Sequence, residues 1–148
     1  MKREIKFRGK DVDTKQWVYG DLQHSRGDEN YGIIRNVEGL HDVLLLSVCQ
    51  FTGMYQRPDG EGKGEGEIYE GDIIRVDGED QLLVVVYYEY MFGLANAREY
   101  GYLKKGAHPF LNDYAHLRAL GEIELQGLVR VVGNVFDNPE LMQEGGEV

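Results

Sequence analysis

The sequence is poor in the residues that mark several protein classes. It has a single cysteine, Cys49, so no internal disulfide can form. The apolar run around it, LLLSVCQF, suits a small core filler better than a reactive thiol. The four histidines, His24, His41, His108 and His116, are scattered and match no zinc-ligand spacing, so each reads as a surface or loop residue. No apolar run approaches the ~18 residues needed to cross a membrane. The start, MKREIKFRGK, lacks the apolar stretch and small-residue cleavage site of a signal peptide. The expectation is therefore a cytoplasmic protein. Basic residues are outnumbered by acids, 16 against 26, which gives a formal net charge of −10. That balance opposes non-specific attraction to nucleic acid or to an anionic membrane.

What is present points to β-structure. Ten tyrosines and twenty glycines against three prolines fit strands joined by many turns. The 148 residues, 42% of them apolar, are about one domain's worth and enough to bury a core without disulfides or metal. Neither an internal repeat nor a convincing linker is visible, so one domain over 1–148 is expected. Within it, a flexible glycine-rich loop is expected at about 57–66 and a frayed tail at 143–148.

The period of the apolar residues predicts the elements. REIKFR alternates, with Ile5 and Phe7 on an inner face and Lys6 and Arg8 outside. WVYGDL returns with Trp17 and Tyr19 together, which makes an N-terminal β-hairpin around the polar KDVDTKQ. YGIIRNV, DVLLLSVCQFTG, DIIRV, QLLVVVYYEYMF and GLVRVVGNVF read as further strands. Asp77-Gly78 marks a tight turn, and the doubly apolar Leu82–Tyr87 suits the centre of a sheet. Phe110, Leu111, Tyr114 and Leu117 share one helical face, and with Pro109 and Gly121 as start and stop they predict a helix near 109–120. NPELM predicts a short C-terminal helical turn with an Asn138 cap and Pro139 in its first turn.

Four features are candidates for a chemical reading. PDGEGKGEGE is glycine-rich, but Arg57 stands where a phosphate loop needs its first glycine, and its acids would repel phosphate. DVDTKQ opens like a calcium loop, yet Gln16 and Leu22 occupy the positions of the required glycine and bidentate acid. Ser25 and Ser47 lack a nucleophile-elbow motif. The clustered carboxylates Glu67, Glu70 and Asp72 have few charges nearby to tune them. Gly71 can take a positive φ, and Asp72 can bond its own turn, so a turn entering a strand is the expectation rather than a catalytic or metal site.

Charge is unevenly spread. Five bases, Lys2, Arg3, Lys6, Arg8 and Lys10, fall in the first ten residues beside one acid, Glu4. The last twelve residues hold four acids and no base. The basic strand is a candidate interaction surface. It could track phosphates, or it could be a charged face that blunts an edge strand. Weak or absent DNA binding is expected at physiological salt, with any self-association through this charge split weakening as salt rises.

REIKFRGKDVDTKQWVYGDL, QFTGMYQRPDG with GEIYEGDIIRV, and VVGNVFDNPELM, in that order and spacing, resemble the YopX family of phage and prophage proteins. The matching positions are Gly53, Glu67, Ile68, Tyr69, Glu70, Gly71 and Asp72 in the middle segment, and Gly133, Asn134, Asn138 and Pro139 at the end. The resemblance implies a phage or prophage origin and a host-cytoplasmic location. It also implies a β-rich fold with a small Src-homology-three-like barrel, and no cofactor. No catalytic role comes with those positions, which read as a structural turn-and-strand signature. The expected function is a non-enzymatic interaction module with a protein partner, which includes a homo-oligomer. The competing readings are a nucleic-acid binder using the N-terminal strand and a metal-dependent enzyme using the 67–72 acids.

Overall fold

The computed structural model describes residues 4–24, 29–56, 66–88, 91–104, 118–119 and 129–143. The chain is mainly β, arranged as two antiparallel sheets, and it forms two compact units, Met1–Gly53 and Met54–Val148.

In the first unit, β1 (Phe7–Lys10) and β2 (Trp17–His24) form the expected hairpin, with Lys10 opposite Trp17 and Phe7 opposite Gly20. At that point β2 changes partner. From Asp21 onward it pairs with β3 (Tyr31–Asn36), which pairs in turn with β4 (Gly39–Leu44). A 3-10 turn at Leu45–Ser47 leads into β5 (Cys49–Tyr55), which returns to the other side of β1 and continues into the second unit. Asp11, just past β1, bridges to Val43 of β4, and the Val12 N–H donates to the Asp42 carbonyl, so the curled sheet meets itself at one corner.

The inner face of this sheet holds the fully buried Ile34 and Val43. Both press against Gly9, where a Cβ would stand 3.0 Å from Val43 and 3.3 Å from Ile34. Gly9 shares its face of β1 with Phe7, so the face expected to lie inside is the one that meets Ile34 and Val43, although burial along the strand differs from the expectation. Arg8 is 5% exposed, whereas Ile5 precedes the strand and is 60% exposed. The stretch read as one strand from Asp42 to Gly53 is two strands, β4 and β5, divided by the 3-10 turn.

In the second unit, β6 (Glu67–Tyr69) lies beside the end of β5, where the Gln56 N–H donates to the Gly66 carbonyl. The main sheet has the order β10-β9-β8-β7-β11, built from β7 (Asp72–Val76), β8 (Leu82–Tyr88), β9 (Met91–Ala95), β10 (Arg118–Ala119) and β11 (Val129–Asn134). β8 is central, as its doubly apolar sequence predicts, because both of its faces are covered. Val85 packs with Ile68, Ile74, Leu94 and Val129, while Val84 and Val86 pack with Ile73, Ala95 and Met142. Each such side chain contributes roughly 2 kcal/mol on burial.

The run QLLVVVYYEYMF is a hairpin rather than a single strand, since Tyr88 faces Met91. Helix α1 (Ala97–Lys104) lies on the Val84 face, where Ala97, Tyr100 and Leu103 pack. It begins with a capping box. The Asn96 side chain accepts from the Glu99 N–H at 2.9 Å, and Glu99 accepts from the Asn96 N–H at 2.8 Å.

The expected helix near 109–120 falls almost wholly outside the described residues. Its end is corrected where it can be seen: Arg118 and Ala119 are strand, paired with Leu94 and Gly93 on the open edge of β9. The C-terminal helical turn is present as a 3-10 turn, Pro139–Met142. Asn138 does not cap it, because its side-chain oxygen takes the Asn134 N–H instead, at 3.2 Å. The loop residues 57–65 and the tail 144–148 lie outside the described residues. Among the described residues, no helix is long and apolar enough to cross a membrane.

Candidate functional site

The carboxylate cluster sits where β6 gives way to β7. Glu70 and Gly71 form the turn, and Gly71 has φ +88°, the value that the third position of a type II turn requires. Asp72 is buried, and its Oδ2 accepts the Tyr69 N–H at 2.8 Å. Glu67 faces the far end of the same tyrosine, accepting from its phenol at 2.9 Å. Asp72 thus holds the turn, as expected, while Glu67 holds the ring of the buried tyrosine beside it.

The two later signature segments meet here. Asn134 pairs with Asp72, and Gly133 with Ile73, across β11 and β7. The Val135 N–H donates to the Gly71 carbonyl, while the Gly71 N–H donates to Val85. Asn134 Oδ1 accepts from the N–H groups of Phe136 and Asp137 at 3.0 and 2.9 Å, which shapes the descent into Pro139. Ile68 and Tyr69 are core residues of the second unit. Gly53, with φ +86°, lies in β5 at the end of the first unit.

The basic strand is built differently from its sequence-level picture. Lys2 and Arg3 lie outside the described residues. Lys6 has its ammonium 5.3 Å from the Phe51 ring, while Arg8 and Lys10 stand 4.4 and 4.9 Å from the Trp17 ring. Alternation puts Lys6, Arg8 and Lys10 on one face, and register puts Trp17 and Tyr19 of β2 on that same face. The aromatics are therefore not inner-core residues: Trp17 is half-buried under cations, and Tyr19 is exposed.

A third group escaped the sequence reading. Asp11 Oδ1 accepts from the N–H groups of Asp13 (2.8 Å) and Thr14 (3.0 Å), and Oδ2 lies 3.7 Å from His41 Nδ1. The other ring nitrogen of His41 is 3.2 Å from Asn36 Oδ1. The Asn36 amide orientation is set by donation to the Tyr19 carbonyl and acceptance from the Glu38 N–H. With Trp17 and Tyr19, these residues line an open cleft of about 460 Å³. His41, expected on the surface or in a loop, is a half-buried residue of β4. Thirty positions separate Asp11 from His41, and no local motif joins them.

The backbone N–H donors of Thr14 and then Asp13 hold the Asp11 carboxyl below its ordinary 3.8, with His41 adding to them and burial opposing. The sign follows from the depressed value: the carboxylate's stabilisation is present above 3.8 and is lost as pH falls through the lower folded value. Asp11→Ala should therefore destabilise the chain at about pH 7 and make little difference at about pH 2. Urea unfolding at the two pH values checks this, and an equal loss at both would refute it.

No curated protein and no solved structure matches the chain. The family described as YopX protein matches residues 6–143 of the 148. The match takes in both signature segments and the basic hairpin, and the chain belongs to the YopX family.

Proposed function

We propose that this YopX-family chain is a phage- or prophage-encoded accessory protein of the host cytoplasm that works by binding another protein rather than by catalysis. In this reading its first unit acts as a small Src-homology-three-like barrel. The observation that carries the reading is apolar surface on that unit: Val37 is fully exposed at the tip of the β3–β4 turn, Leu40 is 64% exposed and Leu46 93%. Exposed apolar side chains concentrated in one stretch of chain, here the β3–β4 hairpin and the 3-10 turn after it, are a common mark of a contact surface.

The barrel reading is supported by the order of elements. Five strands follow one another with a 3-10 turn between the fourth and fifth; the second strand is shared between two partners, and the Asp11–Val43 bridge draws the sheet round. The non-catalytic reading is supported by the use of Asp72, Glu67 and Asp11 as acceptors for turns and a core tyrosine. The same turn chemistry weighs against a metal-dependent enzyme built on the 67–72 acids, and no cofactor is proposed. Nucleic acid is disfavoured because Arg8 is buried and Lys6 and Lys10 lie over rings, within a body of net charge −10.

The test pairs affinity capture from infected or induced host cells with a DNA titration at about 150 mM salt. A retained protein and no DNA binding are expected. Tight, salt-sensitive DNA binding by the monomer would overturn the reading.

A further inference from the structure

The outer face of β2–β3–β4 has the wrong composition for a surface that meets only water. Register assigns its members: Asp21, Arg35 and Leu40 form one cross-strand row, Gln23, Ile33 and Asp42 the next, and Tyr31 and Leu44 the last. The opposite face already supplies the buried Ile34 and Val43. A sheet with one covered face should present polar residues on the other. Here four of the eight, Tyr31, Ile33, Leu40 and Leu44, are apolar. Val37 extends the apolar stretch beyond the Arg35 end, and Leu46 adjoins the Leu44 end, both almost fully exposed.

We propose that this face is a homotypic interface through which two copies of the chain associate. The inference rests on the interaction-module reading and names its surface and partner. The face carries its own complement. Arg35, exposed and without an ion pair among the described residues, stands at one end of β3, and the Tyr31 ring stands at the other. A two-fold axis crossing β3 at Ile33 lays the Arg35 end of each copy over the Tyr31 end of the other, a cation–π arrangement. The same axis sets Leu40 against the Leu44 end and Ile33 against its equivalent. An axis along the strands would oppose arginine to arginine, so the crossing axis is preferred. It opposes Asp42 to itself, which limits the affinity.

Size sets the strength. Six-residue strands span ~20 Å, and three of them ~14 Å across, a footprint of roughly 300 Å². A standard interface covers about 800 Å² per partner. The dimer is therefore weak and reversible, with a dissociation constant on the order of 100 µM.

The experiment is sedimentation velocity of the full chain from about 10 µM to about 1 mM, at about 0.15 M and about 1 M salt. The expected result is a shift from one to two chains with rising concentration that persists at high salt. Leu40→Lys and Leu46→Lys should each weaken it at least ~10-fold, Asp42→Asn should tighten it several-fold, and Val132→Lys, exposed on the second unit, should leave it unchanged. These side chains are exposed, so thermal unfolding of each variant should match the parent. Monomer at every concentration, association indifferent to Leu40 and Leu46, or a dimer that high salt dissolves each overturns the proposal. The last would return the contact to the basic strand. The module reading is judged separately, by whether host-cell capture with the parent chain succeeds.

Discussion

Replacing Gly20 with alanine is expected to lower the unfolding free energy by about 3 kcal/mol, the largest effect of any single methyl group added to the first unit. Gly20 is the residue at which β2 leaves β1 and takes up β3: it faces Phe7, and its neighbour Asp21 faces Arg35. A Cβ at that corner would collide with the Arg35 carbonyl oxygen. Backbone cannot step aside as the end of a flexible side chain can, so β3 or β2 must shift and the ladder beyond it loses geometry. A matched control exists in the second unit. Gly101 lies within α1, and a Cβ there meets nothing within 4 Å. Gly101→Ala should therefore stabilise the chain by about 0.5–1 kcal/mol through helix propensity. Urea unfolding with a constant slope would show midpoints moving in opposite directions. A neutral Gly20→Ala would mean that the change of partner is not the tight corner described.

The strands with strict composition were legible. DIIRV is β7 residue for residue, and the Leu82–Tyr87 run sits in the middle of its sheet, because burial on both faces writes itself as an unbroken apolar run. The errors fall where local pattern was outvoted. Alternation in REIKFR puts Phe7 on the face that Gly9 shares. It also extends the strand to Ile5, which precedes β1 and is exposed, and it leaves Arg8 outside, where its side chain is buried 4.4 Å from the Trp17 ring. Two long apolar stretches concealed a break each. Glu89-Tyr90 carries no turn signal, and the 3-10 turn at Leu45–Ser47 is written in leucine. The helix at Ala97–Lys104 had one readable sign, the Asn96-x-x-Glu99 capping box, but Gly101 and a short apolar stripe obscured it.

The candidate sites divide in the same way. The turn chemistry of Glu70, Gly71 and Asp72 is local, within four residues of chain, and so could be read from residue types alone. The Asp11–His41–Asn36 group could not, because it exists only once the β1–β2 turn meets β4. The outer-face excess of Tyr31, Ile33, Leu40 and Leu44 was equally hidden. As sequence, those residues count towards strands and core; only register shows that they lie on the side away from Ile34 and Val43.

Asp72→Ala is expected to cost about 2–3 kcal/mol. The carboxylate is 2% exposed, and it accepts the buried Tyr69 N–H at 2.8 Å. Truncation leaves that donor without its acceptor in a place water does not reach. The loss therefore includes the desolvation of the orphaned N–H as well as the charge-assisted bond. The same position is where the family's two later signature segments join. Asp72 is paired with Asn134, and the adjacent Gly71 carbonyl takes the Val135 N–H. Loosening the turn should thus loosen the start of the C-terminal descent as well, so amide protection should fall at Val135 along with Tyr69. Asp72→Asn keeps one oxygen able to accept from Tyr69 and should lose about half as much. If Asp72 were held for chemistry rather than for the turn, alanine would leave stability unchanged. A urea midpoint for Asp72→Ala equal to that of the parent would therefore remove the structural account of GEIYEGDIIRV and return its carboxylates to the list of candidate reactive groups.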